Sequence, residues 1–384
     1  MPTLPMIRPS RRLPAMAGIS LLALGLGAGL PAAQSIERHV VPGESVAVYD
    51  LAGAVTVEPA SGRNVEVEVT RGGADAGRLR IEQGGLANWQ TLRVVFPSDR
   101  VVYREPGIWG TRVDVSDDGR FDDQKLLRLD GPRHRVEIRS RGPGLEAHAD
   151  LRVRVPAGRT LALFLAVGTA TITNVDGDLR VSVGRASVTT RSTRGSLAIE
   201  SGSGELRVHD AQGRISLDTG SGDAIVQGMR GERLRLDTGS GSVTVLDAEV
   251  DDLKADTGSG SVDITDTRSP DIALDTGSGP VRLNLLSGPL RTLLIDTGSG
   301  GVTLSLPGGL DASFDIESGS GGVHIGIPHE ITVRDSDHLR GRFGSGRGRI
   351  RIETGSGGVR IVPRATSSSQ LRGGVGTLIR YGFA

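Results

Sequence analysis

From about residue 160 onward the chain alternates apolar and polar positions in short runs, and each run stops at a pair of glycines. Leu234 and Leu236 alternate with Arg235 and Asp237, then Thr238-Gly239-Ser240-Gly241 interrupts, then Val243 and Val245 alternate with Ser242 and Thr244. A period of two on both sides of a glycine turn predicts two short strands meeting at a bend. The same apolar slots recur before the turn at Ile215/Leu217, Leu253/Ala255, Ile272/Leu274, Leu293/Ile295, Phe314/Ile316 and Ile350/Ile352. After it they recur at Val262/Ile264, Val281/Leu283, Val302/Leu304, Val323/Ile325 and Val359/Ile361. The intervening positions (Thr244, Asp263, Arg282, Thr303, His324, Arg360) vary freely, as solvent-facing positions do.

The turn itself repeats. Asp-Thr-Gly-Ser-Gly begins at Asp218, Asp237, Asp256, Asp275 and Asp296, and looser copies begin at Glu200, Glu317 and Glu353. The intervals from 200 to 317 are 18, 19, 19, 19, 21 and 21 residues, so one supersecondary unit is stacked on itself. An antiparallel meander needs a turn signature at both ends of each strand pair, and only one end carries one here. The other connection (247–252, 266–271, 286–291) drifts in sequence and length. The expected fold is therefore all-β: a parallel β-solenoid of about ten coils with like residues stacked one strand spacing apart, roughly 4.8 Å. Glycine suits a sharp corner where backbones stack closely.

Four segments follow. Residues 1–34 look like an export signal: Arg8, Arg11 and Arg12 precede an uncharged apolar run over 15–30 that ends in small residues at Ala32-Ala33. A retained N-terminal anchor is the alternative. Residues 35–160 are β-patterned but irregular and are expected to start and cap the stack, because an uncovered end strand templates aggregation. Residues 161–362 are the regular coils, with an insertion over 329–341. Residues 363–384 are a Ser-rich link and one strand, 377–383, expected to close the far end.

Composition sharpens the picture in few places. The chain has 45 basic and 45 acidic residues; without residues 1–34 it loses three arginines and no acid, leaving −3. That is no polybasic field for nucleic acid or anionic lipid, and no later apolar run is long enough to span a bilayer. The absence of cysteine excludes disulfides and a lipid-modified cysteine.

Candidate chemistry centres on the acids. Asp-Thr-Gly surrounds the catalytic carboxylate of aspartic proteases, but that chemistry needs two loops facing across a cleft, whereas a stack sets the carboxylates in a row. In such a row each Asp is expected to accept hydrogen bonds from its own turn's N–H groups. The functional alternative is a cation column at Asp218, Asp237, Asp256, Asp275 and Asp296, with Ca²⁺ on oxygen ligands. Asp114 to Gly119 resembles half a calcium loop, but Lys125 stands where a bidentate Glu belongs; an Asp-Gly hairpin turn between 111–115 and Phe121 is simpler. His329-Glu330 lacks the second histidine of a zinc helix. Trp89, Tyr103 and Trp109, with Arg100, Arg104 and Arg112, form the one aromatic-plus-arginine concentration. Cap core explains them; a ligand-binding patch for glycan or protein at Trp89, Tyr103, Arg104 and Trp109 is the alternative.

Taken together, the export signal, Leu51-Ala52-Gly53-Ala54-Val55-Thr56-Val57, Leu151-Arg152-Val153-Arg154-Val155-Pro156-Ala157-Gly158, the run of Thr/Ser-Gly-Ser-Gly turns and the closing Ile350-Arg351-Ile352-Glu353-Thr354-Gly355-Ser356-Gly357 resemble the bacterial "putative adhesin" family of exported β-strand-repeat proteins. That family is similar in style to head-domain autotransporter adhesins. The resemblance covers roughly 36–362 and implies an exported solenoid with no catalytic residues. The functional expectation is a non-enzymatic protein of the periplasm, cell surface or extracellular space, acting in adhesion, envelope interaction or scaffolding on an envelope protein or glycan. Two alternatives stand beside it: a β-helix carbohydrate-active enzyme, and a structural protein that self-associates end to end.

Overall fold

Between Val243 and Thr257 the chain runs as one extended strand that changes direction twice. Val243 and Val245 are buried, then Ala248 and Val250, then Leu253, Ala255 and Thr257. Each change of direction advances the buried position by three instead of two, so a coil is three straight runs joined by corners. Asp247 makes one of these corners in the left-handed region (φ 56°). The structure, a computed structural model, describes residues 36–104, 110–123, 131–286 and 288–364.

The coils stack in parallel register. Leu161, Leu179, Leu197, Ile215, Leu234, Leu253, Ile272 and Leu293 oppose one another in turn, and all are buried. Each such side chain contributes on the order of 1.5–3 kcal/mol by leaving water. This is the parallel β-solenoid expected from the alternation. Among the described residues the only helical element is the short turn Ala76–Arg78.

Two columns of backbone make the repeated corner. A Cβ on Gly258 would meet the carbonyl oxygen of Gly239 at 2.4 Å, and one on Gly260 would meet that of Gly241 at 1.9 Å. The same clash recurs at Gly239, Gly241, Gly277, Gly279, Gly298 and Gly300. The glycines are thus required by the close approach of one corner to the next. The second corner also has a rule. Asn174, Ser192, Asp210, Gly228, Asp247 and Asp266, one per coil, all take positive φ between 52° and 73°. Short polar side chains and glycine tolerate that region at least cost, so a column that drifts in identity is constant in conformation.

Chain order and spatial order part company near the C-terminus. Gly348–Thr354 pairs with Thr292–Thr297 on one side and Ala312–Ser318 on the other, both in parallel. Val359–Pro363 likewise lies between Val302–Leu306 and Val323–Ile325. The last copy in sequence, at Glu353, is therefore threaded between the copies at Asp296 and Glu317.

Antiparallel strands stand at both ends of the parallel stack. At one, Val65–Gly72 lies between Ile36–Val41 and His148–Pro156. At the other, His338–Phe343 pairs with Ala312–Ser318 and Glu330–Arg334 pairs with His338–Phe343. The expected closing strand 377–383 lies outside the described residues, as does the signal-like segment 1–34. The described residues between 97 and 123 leave the first coils and contribute to a second small sheet, ordered Thr111–Ser116, Arg133–Arg139, Arg100–Val102, Leu145–Glu146.

Candidate functional site

The outward position just before the repeated turn carries an acid in every copy, and parallel register turns those acids into one column. Glu200, Asp218, Asp237, Asp256, Asp275, Asp296, Glu353 and Glu317 follow one another in that spatial order. At a strand spacing of about 4.8 Å, seven steps make an edge about 34 Å long. Burial pushes the Asp237 carboxyl up, and Asp256 and Asp218 add to the rise while Lys254 opposes it. Asp275 rises for the same reasons, with Asp256 and Asp296 as its neighbours.

The Asp carboxylates do not accept the turn's N–H groups; here the structure corrects the sequence reading. Threonine does that work from the inner side of the corner. Its hydroxyl accepts the N–H of the second glycine of its own turn in the pairs Thr238/Gly241 (3.0 Å), Thr257/Gly260 (3.1 Å) and Thr276/Gly279 (3.0 Å). The same hydroxyl donates to the corner of the preceding coil: Thr238 to Gly222, Thr257 to Gly241 and Thr276 to Gly260. The aspartates point the other way, and among the described residues no side chain donates a hydrogen bond to any of the five.

Both ends of the column are framed. Toward the N-terminus the acid position becomes Ser182, then Phe164, then Tyr49. Tyr49 and Phe164 stack at 4.4 Å between ring centres, and Phe121 of the excursion meets Tyr49 edge-on at 6.1 Å. The Tyr49 hydroxyl donates to the buried Asp123 carboxylate (3.4 Å), which Arg133 (2.7 Å) and Arg120 (3.3 Å) also hold. Burial and the Asp123 charge together push the Tyr49 phenol far up. Asp122 makes a close contact with the Ser182 hydroxyl, which fastens the excursion to the rung after the last acid.

At the other end Asp335, Asp337 and His338 close over Asp296, Glu353 and Glu317 around a cavity of about 520 Å³. Donor atoms of Asp315, Glu317 and His338 lie within 4.8 Å of one another, near enough for these three to share a cation. Against the upward push of burial, hydrogen bonds from His338 (2.6 Å) and Arg340 (3.1 Å) hold the Asp315 carboxyl below its ordinary range. This cluster was not foreseen, because the sequence reading treated 329–341 as an insertion.

The aromatic group is not one surface patch. Tyr103 is buried against His148 (5.3 Å). Arg104 is held by both carboxylate oxygens of Glu146 (2.7 and 2.8 Å), and Trp109 lies outside the described residues. Trp89, half-buried, lines a separate cavity against the first coils. In the half calcium loop the Asp118 carboxylate is taken by Arg93 (2.6 Å) and Arg120 (2.8 Å). A tight turn does form there, with the Gly119 N–H donating to Ser116. Strand Thr111–Ser116 then pairs with Arg133–Arg139 and not with Phe121. The His329 Nδ1–H donates to the Ile327 carbonyl (2.8 Å) beside Phe314, a packing role.

No curated protein matches the chain at a significant level. Among solved structures, it is similar to a putative adhesin from Parabacteroides distasonis (10% identity, 85% of this chain and 96% of that chain, TM-score 0.37). It is also similar to a putative adhesin from Parabacteroides merdae (10%, 85% and 95%, TM-score 0.32) and a putative cell adhesion protein from Clostridium sporogenes (9%, 86% and 100%, TM-score 0.21). The family model described as Toastrack DUF4097 matches residues 153–362, which takes in the regular coils, both glycine columns and the full acid edge. With more than half its length so matched, the chain belongs to the Toastrack DUF4097 family.

Proposed function

We propose that this chain is an exported, non-enzymatic β-solenoid acting in adhesion, envelope interaction or scaffolding. The observation that carries this reading is the single file of eight carboxylates from Glu200 to Glu317. Carboxylates that perform acid–base or nucleophilic chemistry face each other across a gap holding the scissile bond. Carboxylates side by side on one straight edge suit repeated weak contacts whose strengths combine. Export is supported by the three arginines and apolar run within residues 1–34. No helix among the described residues is long and apolar enough to cross a membrane.

A second reading gives the edge a column of Ca²⁺ ions on Asp218, Asp237, Asp256, Asp275 and Asp296. The lack of any side-chain hydrogen bond to these carboxylates among the described residues favours it, since their mutual repulsion then awaits outside counter-charge.

The test is cosedimentation of the full chain with purified bacterial envelope fragments, beside an assay for released reducing ends. Binding that falls several-fold in Asp237→Asn/Asp256→Asn/Asp275→Asn, with no sugar released, supports the reading. Release of reducing ends would defeat its non-enzymatic half, and undiminished binding by the triple variant would defeat the role of the edge.

A further inference from the structure

Three outward columns on one face of the first coils form a grid. Register sets Ser45, Thr160, Asp178 and Ser196 in one column, Ala162, Arg180 and Ala198 in the next, and Phe164, Ser182 and Glu200 in the third. Neighbours are about 4.8 Å apart across the strands and about 6.7 Å along them. Most floor positions are small, so the face is recessed. Trp89, at the start of the strand Trp89–Val95 that adds to the first coil, and Asp122 of the excursion stand over this floor. They enclose a cavity of about 560 Å³, within the size range of small-molecule sites.

On the coils beyond this cavity several outward arginines find an acid one coil away: Arg233 with Asp252 (3.1 Å), Arg282 with Asp263 (3.0 Å), Arg230 with Asp247 (2.7 Å). Asp178 and Arg180 are successive outward residues of one strand, yet among the described residues neither side chain has a hydrogen bond or ion pair. A half-buried indole that lines one cavity with an unengaged carboxylate and an unengaged guanidinium is an incomplete recognition set. An aromatic ring offers a flat apolar contact, and the charged pair offers acceptors and donors that are strong when aimed at hydroxyls.

We propose that this cavity binds a neutral pyranose unit of a glycan, its C–H face against Trp89 and its hydroxyls on Asp178 and Arg180. A neutral sugar is favoured over an anionic one because Asp178, Asp122 and Glu200 outnumber Arg180 around the cavity. The inference deepens the adhesion reading above by naming a ligand class, and it rests on that reading only for the expectation that the bound sugar is not cleaved.

The experiment screens the full chain on an array of neutral, amino and anionic oligosaccharides, followed by calorimetry with the best neutral binder. Trp89→Ala should weaken binding at least tenfold, and Asp178→Asn and Arg180→Ala several-fold each, with thermal melts unchanged. Asp237→Asn/Asp256→Asn/Asp275→Asn should bind the same sugar as the parent does, which separates this cavity from the acid edge. No neutral binder on the array, binding restricted to anionic glycans, or equal affinity in Trp89→Ala and Arg180→Ala would each overturn the proposal. Cleavage of the bound sugar would defeat the non-enzymatic reading and leave the site standing.

Discussion

The hydroxyl of Thr257 donates a 2.8 Å hydrogen bond to the carbonyl of Gly241, one coil away, while accepting the N–H of Gly260 in its own turn. One buried oxygen therefore satisfies two backbone groups that belong to different coils. Thr257→Val keeps the shape and orphans both partners, at about 1–3 kcal/mol for each unsatisfied buried group. Thr257→Ser keeps the hydroxyl and should cost far less. Because stacked coils open locally, the sensitive measurement is amide hydrogen exchange at Gly260. Exchange should accelerate at least tenfold in the valine variant and remain near the parent rate in the serine variant. Equal rates in both would show that the hydroxyl is not the fastening.

Glycine positions on the same corner should divide sharply. Gly260→Ala sets a methyl 1.9 Å from a carbonyl oxygen of fixed backbone, so coils must separate. Gly308 has nothing within 4 Å of an added Cβ and no positive φ. Gly308→Ala should change the melting temperature by no more than a degree or two, and Gly260→Ala should lower it by many degrees or abolish folding. Comparable melts for the two would refute the stacking argument.

Asp50 occupies in the first coil the slot that the turn threonines hold further along, as successive register through Leu165, Val183 and Ser201 to Thr219 shows. It is fully buried; one oxygen accepts the Ala52 N–H (3.3 Å) and the other has no partner. Burial pushes its carboxyl well up, the Ala52 N–H opposes that, and the Asp150 charge adds to it. The folded state thus holds a proton that the unfolded chain has released. Stability from this group is full below the ordinary carboxylate range and declines as pH rises toward the raised folded value. Asp50→Asn keeps the acceptor for Ala52 and removes the titration. Denaturant midpoints from pH 4 to pH 9 should fall less steeply in the variant than in the parent, and parallel curves would reject this account.

Much of this architecture was legible in the residues, and the gaps have physical causes. Alternation around Leu234/Leu236 and Val243/Val245 defined the inward slots, because burial constrains them and the outward slots are free. The corner chemistry was assigned to the wrong side of one dipeptide: in Asp-Thr either side chain can accept a turn N–H, and only the inward direction of Thr decides it. The second corner was missed because Asn174, Ser192, Asp210, Gly228, Asp247 and Asp266 share a backbone angle and not an identity. The acid column was read correctly as a row, but its order was not. Ile350/Ile352 and Phe314/Ile316 present equivalent apolar pairs, so either coil fits beside the Asp296 copy on side-chain grounds. Of the aromatic candidates, Trp89 was separated from Tyr103 by folding that no local pattern encodes.

The acid edge predicts a dependence on counter-charge. Asp237 and Asp275 have raised carboxyls, so both oppose ionisation in the fold and cost stability as pH rises through and above the carboxylate range. Asp256 lies between them, and Asp256→Asn should raise the melting temperature at pH 8 in low salt. The gain should shrink at high ionic strength, where the Debye length drops to about 3 Å near 1 M. Millimolar CaCl₂ should raise the parent's melting temperature beyond NaCl of equal ionic strength, and the triple Asn variant should lose that excess. Identical responses to CaCl₂ and matched NaCl would dispose of the calcium column while leaving the screening effect intact.

The threaded coil makes the most severe demand. Gly348–Thr354 supplies hydrogen bonds to two parallel neighbours, and buried Ile350 and Ile352 pack in line with Leu293/Ile295 on one side and Phe314/Ile316 on the other. Arg364, just beyond it, pairs with Asp266 at 2.7 Å, on a coil well back in the stack. Ending the chain at residue 347 would leave the two flanking coils with facing unpaired edges and a missing layer of core. Such edges pair with any available strand, so the shortened chain should form oligomers by sedimentation velocity. A synthetic peptide of residues 348–363 supplied during refolding should restore the monomer, because the gap matches it in register, while the same peptide carrying Ile350→Asp and Ile352→Asp should not. A shortened chain that stays monomeric with an unchanged melt would mean that the two flanking coils close on each other without the inserted one.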